Sequence, residues 1–185
     1  MTFEPAPEPA PRTDVLVVCT GNAARSVMAG YMLELLSDRR HLGLAVTTAG
    51  THTLDGQPMG LRTRAALATI GPLGDLPVSR HRSRQVEAAD FAAADLVVAM
   101  EADHVRYVRR VHPAAADRTA TIRRLCRDLP PAPGSLAERV TSLELAGVTL
   151  GEDEDVADPA GREADVYAAC AAELWVLCGE LAARL

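Results

Sequence analysis

Residues 15–36 read VLVVCTGNAARSVMAGYMLELL, and the fold turns on them. Val15-Leu16-Val17-Val18 is a continuous, β-branched apolar run, suited to a central parallel strand buried on both faces. It stops at Thr20-Gly21-Asn22, which is turn chemistry. From Ser26 to Leu36, Met28, Met32, Leu35 and Leu36 fall near helical spacing. The first unit is therefore strand, tight loop, helix.

The unit recurs downstream. Residues 44–48 predict a second strand, followed by a loop through Gly60 and a helix near 61–70 that Gly71-Pro72 ends. Ser83 is placed to cap a short helix running to Ala89. Residues 95–100 (DLVVAM) predict a third strand, 103–111 the next helix and 119–122 a weak fourth strand. Residues 165–185 read as a long amphipathic helix with Leu174 and Trp175 inward. Strands alternating with helices predict an α/β fold, a parallel sheet covered on both faces. Residues 1–13, rich in proline, alanine and acid, read as a disordered tail, and 14–185 as a single domain.

Composition narrows the chemistry. The 185 residues are 48% apolar and 24% charged, enough for a core and ordinary for a soluble chain. All 19 basic residues are Arg, so Walker-type, Schiff-base and general-base lysines are excluded. The net charge of −6 argues against a nucleic-acid partner, and no apolar run has the length of a membrane span. The N-terminus lacks a secretory pattern. The four cysteines include no CxxC and no zinc spacing, which points to a reduced, cytoplasmic protein. A monomer or weak dimer is expected.

The loop Cys19-Thr20-Gly21-Asn22-Ala23-Ala24-Arg25-Ser26 places a thiol at the carboxyl end of a buried strand, where α/β sheets bind ligands. Between Cys19 and Arg25 the chain can curl so that its N–H groups converge on one anion at a helix N-terminus. Gly21, Asn22, Ala23 and Ala24 permit the curl. Arg25 adds a bidentate fork for phosphate oxygens, and the same positive field favours a thiolate at Cys19. Ser26 can donate a hydrogen bond to that sulfur. Asp158, in an Asp-Pro bend, is either a plain turn aspartate or, beside such a loop, a general acid that protonates a leaving oxygen and then activates water. The preceding run Glu152-Asp153-Glu154-Asp155 would favour its protonated form if those carboxylates lie close.

The string VLVVCTGNAARSVMA resembles the V-C-x-G-N-x-C-R-S-P-M-A loop of the low-molecular-weight protein tyrosine phosphatases. The resemblance continues through TTAGT (47–51), HRSRQ (81–85), ADLVVAM (94–100) and DVADPAG (155–161), with 129–151 as an insertion. In that insertion a proline cluster precedes SLAERVTSLELAG, read as an extra helix. The resemblance implies a four-stranded parallel sheet with flanking helices, a flavodoxin-like three-layer fold. It implies Cys19 as nucleophile, Arg25 as phosphate ligand, the loop from Thr20 to Ser26 as phosphate cradle and Asp158 as general acid. The reaction would be phosphomonoester hydrolysis through a cysteinyl-phosphate, with no metal or other cofactor. The substrate would be a phosphorylated protein or a small phosphorylated metabolite.

Departures from the family pattern bear on the substrate. Ala24 replaces a second loop cysteine, so a protective disulfide within the loop is impossible. Ala160 stands where an aromatic is common, and Thr51-His52-Thr53-Leu54 supplies none either, which weakens the case for phosphotyrosine. Ala23 is small, as in relatives that act on protein arginine, and keeps phosphoarginine open. A thiol-dependent arsenate reductase and a non-catalytic phosphate-binding module are the further alternatives. Cys170 and Cys178 read as core residues of the last helix. The arginines at 106, 109, 110, 118, 123, 124 and 127 read as a solvated face or a partner for the acidic run.

Overall fold

A computed structural model describes residues 12–74, 80–151 and 153–185. Four parallel strands, β1 (Thr13–Cys19), β2 (Leu44–Gly50), β3 (Leu96–Ala99) and β4 (Thr119–Thr121), lie in the order β2-β1-β3-β4. β1 is interior: Val15 is in register with Val46 on one side and Leu96 on the other. That position explains its unbroken apolar run. Val15, Val17, Leu96 and Val98 face one core, while Leu16, Val18, Val97 and Ala99 face the second.

Helices α1 (Arg25–Arg40), α2 (Leu61–Ala68), α5 (Ile122–Asp128) and α7 (Ala164–Ala182) join the first core. Helices α3 (Ala88–Ala93) and α4 (Ala102–Val111) cover the second. The result is the expected four-stranded parallel sheet in a flavodoxin-like three-layer fold. The chain leaves β1 toward β2 on one side and later fills β3 on the other. The crevice at that reversal, above the carboxyl end of β1, is where such sheets bind ligands. α1 lies close on β2: a Cβ at Gly30 would sit 2.5 Å from Thr48 Cγ2, so a larger residue there would force the Thr48 side chain to shift. No helix among the described residues is long and apolar enough to cross a membrane.

Several boundaries differ from expectation. The expected tail lies outside the described residues through position 11, but Thr13 belongs to β1 and pairs with Leu44. Ser83 caps no helix. Its hydroxyl donates to the Leu54 carbonyl (2.6 Å) and accepts from the Gln57 N–H (3.0 Å), which ties two loops together. α3 begins at Ala88 instead, after Glu87, whose N–H meets Asp90 Oδ2 at 2.8 Å. β4 ends at Thr121, whose side chain accepts the Arg124 N–H and starts α5 at once. A run of arginines with few apolar residues concealed that helix. The extra helix of the 129–151 segment is α6 (Leu136–Thr141), opened by reciprocal bonds between Ser135 and Glu138. Cys170 and Cys178 are buried on α7, and Leu174 is fully so, with Trp175 half-buried.

Candidate active site

The loop between β1 and α1 is held from outside by its carbonyls. The Cys19 carbonyl accepts from the Thr51 N–H (2.9 Å). The Thr20 carbonyl accepts from the His52 N–H (2.9 Å) and Thr53 Oγ1 (3.1 Å). The Asn22 carbonyl meets His81 Nε2 (2.9 Å), and the Ala23 carbonyl accepts from Thr63 Oγ1 (2.9 Å). A trans peptide points its N–H opposite to its C=O, so outward carbonyls turn the following amides inward. Among the described residues, the amides of Gly21, Asn22, Ala23 and Ala24 donate to no protein acceptor. α1 adds its own N-terminus, with no capping side chain and no acid in its first turn. Spare amides on an open helix end form a receptor for an anion.

Asn22 fixes the curl. Its φ of 46° is left-handed, a conformation asparagine tolerates. Its Nδ2 donates to Ser26 Oγ (3.1 Å) and Thr48 Oγ1 (3.0 Å), and its Oδ1 accepts the Arg84 N–H (3.1 Å). Cys19 Sγ lies 2.9 Å from Ser26 Oγ, both buried.

Arg25 is 2% exposed and engaged on both terminal nitrogens. Nη1 donates to Glu101 Oε2 (2.5 Å) and the Val156 carbonyl (3.1 Å). Nη2 donates to Asp158 Oδ2 (2.7 Å) and, at 3.4 Å, to Thr20 Oγ1. Burial works against the guanidinium charge, but Glu101 first, then Asp158 and Cys19, more than offset it and raise the pKa. Glu101 Oε1 in turn lies 3.2 Å from Nε2 of buried His104, which is also 3.0 Å from Thr20 Oγ1. His104 Nδ1 has no partner among the described residues. Burial and, next, the charge of Arg25 push His104 down to about 4, so it is neutral at neutral pH.

Asp158 reaches Arg25 from the irregular segment before α7, and its other oxygen accepts the Ala160 N–H (3.0 Å). The expected cluster of carboxylates around it does not form. Glu154 turns inward to Arg124, Asp155 Oδ1 accepts the Ala102 N–H at the start of α4 (2.7 Å), and Asp153 lies 3.5 Å from Arg127. Glu152 lies outside the described residues. Each of the three described acids has a donor elsewhere, so they anchor the segment instead of charging its tip.

The structure thus gathers Cys19, Arg25 and Asp158 at one rim, with the 20–26 loop as floor. Sequence reasoning missed Glu101, His104, His81, Thr48 and Thr63. For the first two a signal existed: Glu101 and His104, three apart, open a helix right after DLVVAM, at the ligand-binding end of a strand. The remaining thiols are poor nucleophiles. Burial pushes Cys126 up to about 11, Cys170 up to about 12, and Cys178 upward as well. The arginine stretch is largely spent on internal partners: Arg109 on the Leu145 and Val148 carbonyls, Arg118 on those of Phe91 and Ala94, Arg124 on Glu154. His52, Leu54 and Ala160 are exposed.

In an α/β protein, a thiol beside a buried arginine and a cup of spare amides suits phosphoryl transfer to sulfur, the chemistry of the cysteine-dependent phosphatases. Residues 14–133 match the sequence model of the low molecular weight phosphotyrosine protein phosphatases, and the chain belongs to that family. It is a phosphatase. It is 34% identical over 161 residues to a low molecular weight protein-tyrosine-phosphatase of Streptomyces coelicolor, covering 84% of this chain and 83% of that protein. It is 29% identical to a protein-arginine-phosphatase of Geobacillus stearothermophilus, covering 92% and 95%. Among solved structures, a low molecular weight protein tyrosine phosphatase from T. tengcongensis superposes with a TM-score of 0.74 at 28% identity, covering 94% of this chain and 99% of that one. The YwlE arginine phosphatase from Geobacillus stearothermophilus superposes at 0.71 and 28%, covering 92% and 90%. These relatives favour neither the arsenate-reductase nor the binding-module reading.

Proposed function

We propose that this protein hydrolyses phosphorylated proteins through a cysteinyl-phosphate, with Cys19 as nucleophile, Arg25 and the 20–26 amides as phosphate receptor and Asp158 as general acid. The supporting observation is that the loop turns its carbonyls outward while Arg25 pairs with Asp158 through Nη2. Phosphate oxygens take over Nη2, and the released carboxyl is left facing the leaving atom. Cys19 sulfur attacks phosphorus in line, the S–P bond forms and the bond to the leaving atom breaks. Asp158 gives that atom its proton. The resulting carboxylate then takes a proton from water, whose oxygen attacks phosphorus, and the S–P bond breaks to release inorganic phosphate. Arg25 and the amides hold the equatorial oxygens throughout. The reaction is placed in the cytoplasm, where the four free cysteines stay reduced. Acid quenching during turnover of an aryl phosphate should trap phosphate on Cys19. A wild-type enzyme that turns over with no phosphate on Cys19 would sink the mechanism.

For the substrate side chain, phosphoarginine is a specific second reading beside phosphotyrosine. It is motivated by the methyl of Ala23 on the floor and by the exposed Leu54 and Ala160 where an aromatic wall would stand. Matched phosphoarginine and phosphotyrosine peptides, with small phosphorylated metabolites beside them, separate the readings by kcat/KM.

A further inference from the structure

Glu154 is the only carboxylate buried among the described residues, with no exposed surface. It touches neither the phosphate loop nor Arg25. Its Oε1 bonds to Arg124 Nη2 and accepts the Gly151 N–H (2.9 Å). Its Oε2 accepts from Arg124 Nε (3.2 Å) and Thr121 Oγ1 (3.0 Å). Arg124 spends its remaining donors on Asp128 (3.2 Å) and the Thr149 carbonyl (2.8 Å). Burying a charge is expensive unless its partners are fixed, so such a pair asks what it holds in place.

The next five residues of the chain supply an answer. Residues 154–159 form neither helix nor strand, so no backbone ladder sets their path. Three successive residues are instead pinned to three places. Glu154 is held by α5, Asp155 by the first N–H of α4, and the Val156 N–H by the Met100 carbonyl at the end of β3 (2.8 Å). The Val156 carbonyl then accepts from Arg25, and Asp158 reaches the same guanidinium. The buried pair is the innermost of these anchors, and the acid is at the free end.

We propose that Glu154, clamped by Arg124, is a positioning residue that sets the reach of Asp158 toward the leaving atom. This rests on the reading of Asp158 as general acid. An error of about 1 Å in placing a catalytic group costs on the order of 10²-fold, so an anchor four residues away acts chiefly on proton transfer, while Glu101 keeps its own hold on Arg25.

The test compares Glu154→Gln, Arg124→Gln, the double variant and Asp158→Asn by single-turnover phosphorylation of Cys19, with phenyl phosphate and with p-nitrophenyl phosphate. Vanadate affinity and melting temperature are followed in each. Glu154→Gln should lose about 10-fold on phenyl phosphate, markedly less on the nitrophenyl ester, and keep its vanadate affinity. Two facing amides can hydrogen-bond, so the double variant should recover part of the loss. Should Glu154→Gln not fold, Arg124→Lys carries the same test, because it keeps the charge and removes the fork. Equal losses on both esters, or none, overturn the proposal while Asp158→Asn still discriminates between them. If Asp158→Asn itself loses equally on both, the general-acid reading falls and the proposal falls with it.

Discussion

Two regions meet at Arg25, the loop of residues 19–26 and the strap of residues 153–158, and they are made differently. The loop is short, its ends are fixed by β1 and α1, its small residues permit the curl, and the donors around it hold its carbonyls outward. The strap has no secondary structure, and its course is fixed by side chains reaching α4, α5 and the end of β3. A receptor for an anion needs many converging amides, which one turn of chain supplies by itself. A proton donor needs only one carboxyl, placed accurately over a pocket, and any set of distant anchors will serve.

The comparison makes the nucleophile separable from the receptor, and this is the largest effect to expect. Cys19→Ser should lower turnover by about 10⁴-fold or more yet keep vanadate and phosphate binding, since the amides and Arg25 do the binding. Arg25→Ala should lose both. Calorimetry with vanadate beside steady-state rates checks it, and a Cys19→Ser protein blind to vanadate would break the division.

The strap is tested next. Asp158→Asn should cost roughly 10²–10⁴-fold where the leaving group is a strong base and far less with nitrophenolate. Single-turnover kinetics isolates this first step from the water attack. A uniform loss would make the strap a packing element, and the contrast with the loop would lose its functional meaning.

A smaller effect probes the seam between the two regions. His104 lies against Thr20 of the loop and Glu101, with Arg25, Asp103, Asp155 and Asp158 as the other charges acting on it. Its pKa falls from 6.5 unfolded to about 4 folded. The unfolded chain therefore takes up a proton that the native protein refuses, and stability present above pH 6.5 drains away as pH falls toward 4. At pH 5 the loss is about 2 kcal/mol from this group. His104→Asn should be less stable than wild type at pH 7.5 but show a flatter decline of its urea midpoint between pH 7.5 and 5. Parallel declines would remove His104 from the account.

The smallest effect lies away from both regions. Ser135→Ala deletes the cap of α6 and should cost about 1 kcal/mol of stability with kcat unchanged. A clear fall in kcat would tie the 129–151 segment to the site.

Much of this was legible in the chain. The run 15–18 announced a central strand, because only a strand buried on both faces is apolar at every position. Cys19 through Ser26 announced the proposed receptor, because its curl, amides and arginine are neighbours in sequence. Asp158 was singled out by the resemblance, since an Asp-Pro bend alone reads equally as a plain turn, and its surroundings were not legible. Ser83 misled, since a hydroxyl that can cap a helix can equally bridge two loops. α5 was hidden because it is short and rich in arginine.

By itself, then, the sequence determined what depends on near neighbours: the alternation of strand and helix, the turn chemistry and the anion loop. Only the tertiary structure decided that Glu101 and His104 back the arginine, that Thr48, His81 and Thr63 hold the loop from outside, and that the acidic run anchors the strap. Each of these rests on a partner at least 26 residues away in the chain, as between Asn22 and Thr48. Which of several equally suitable donors meets a carboxylate or a carbonyl is settled by packing. No local pattern encodes it.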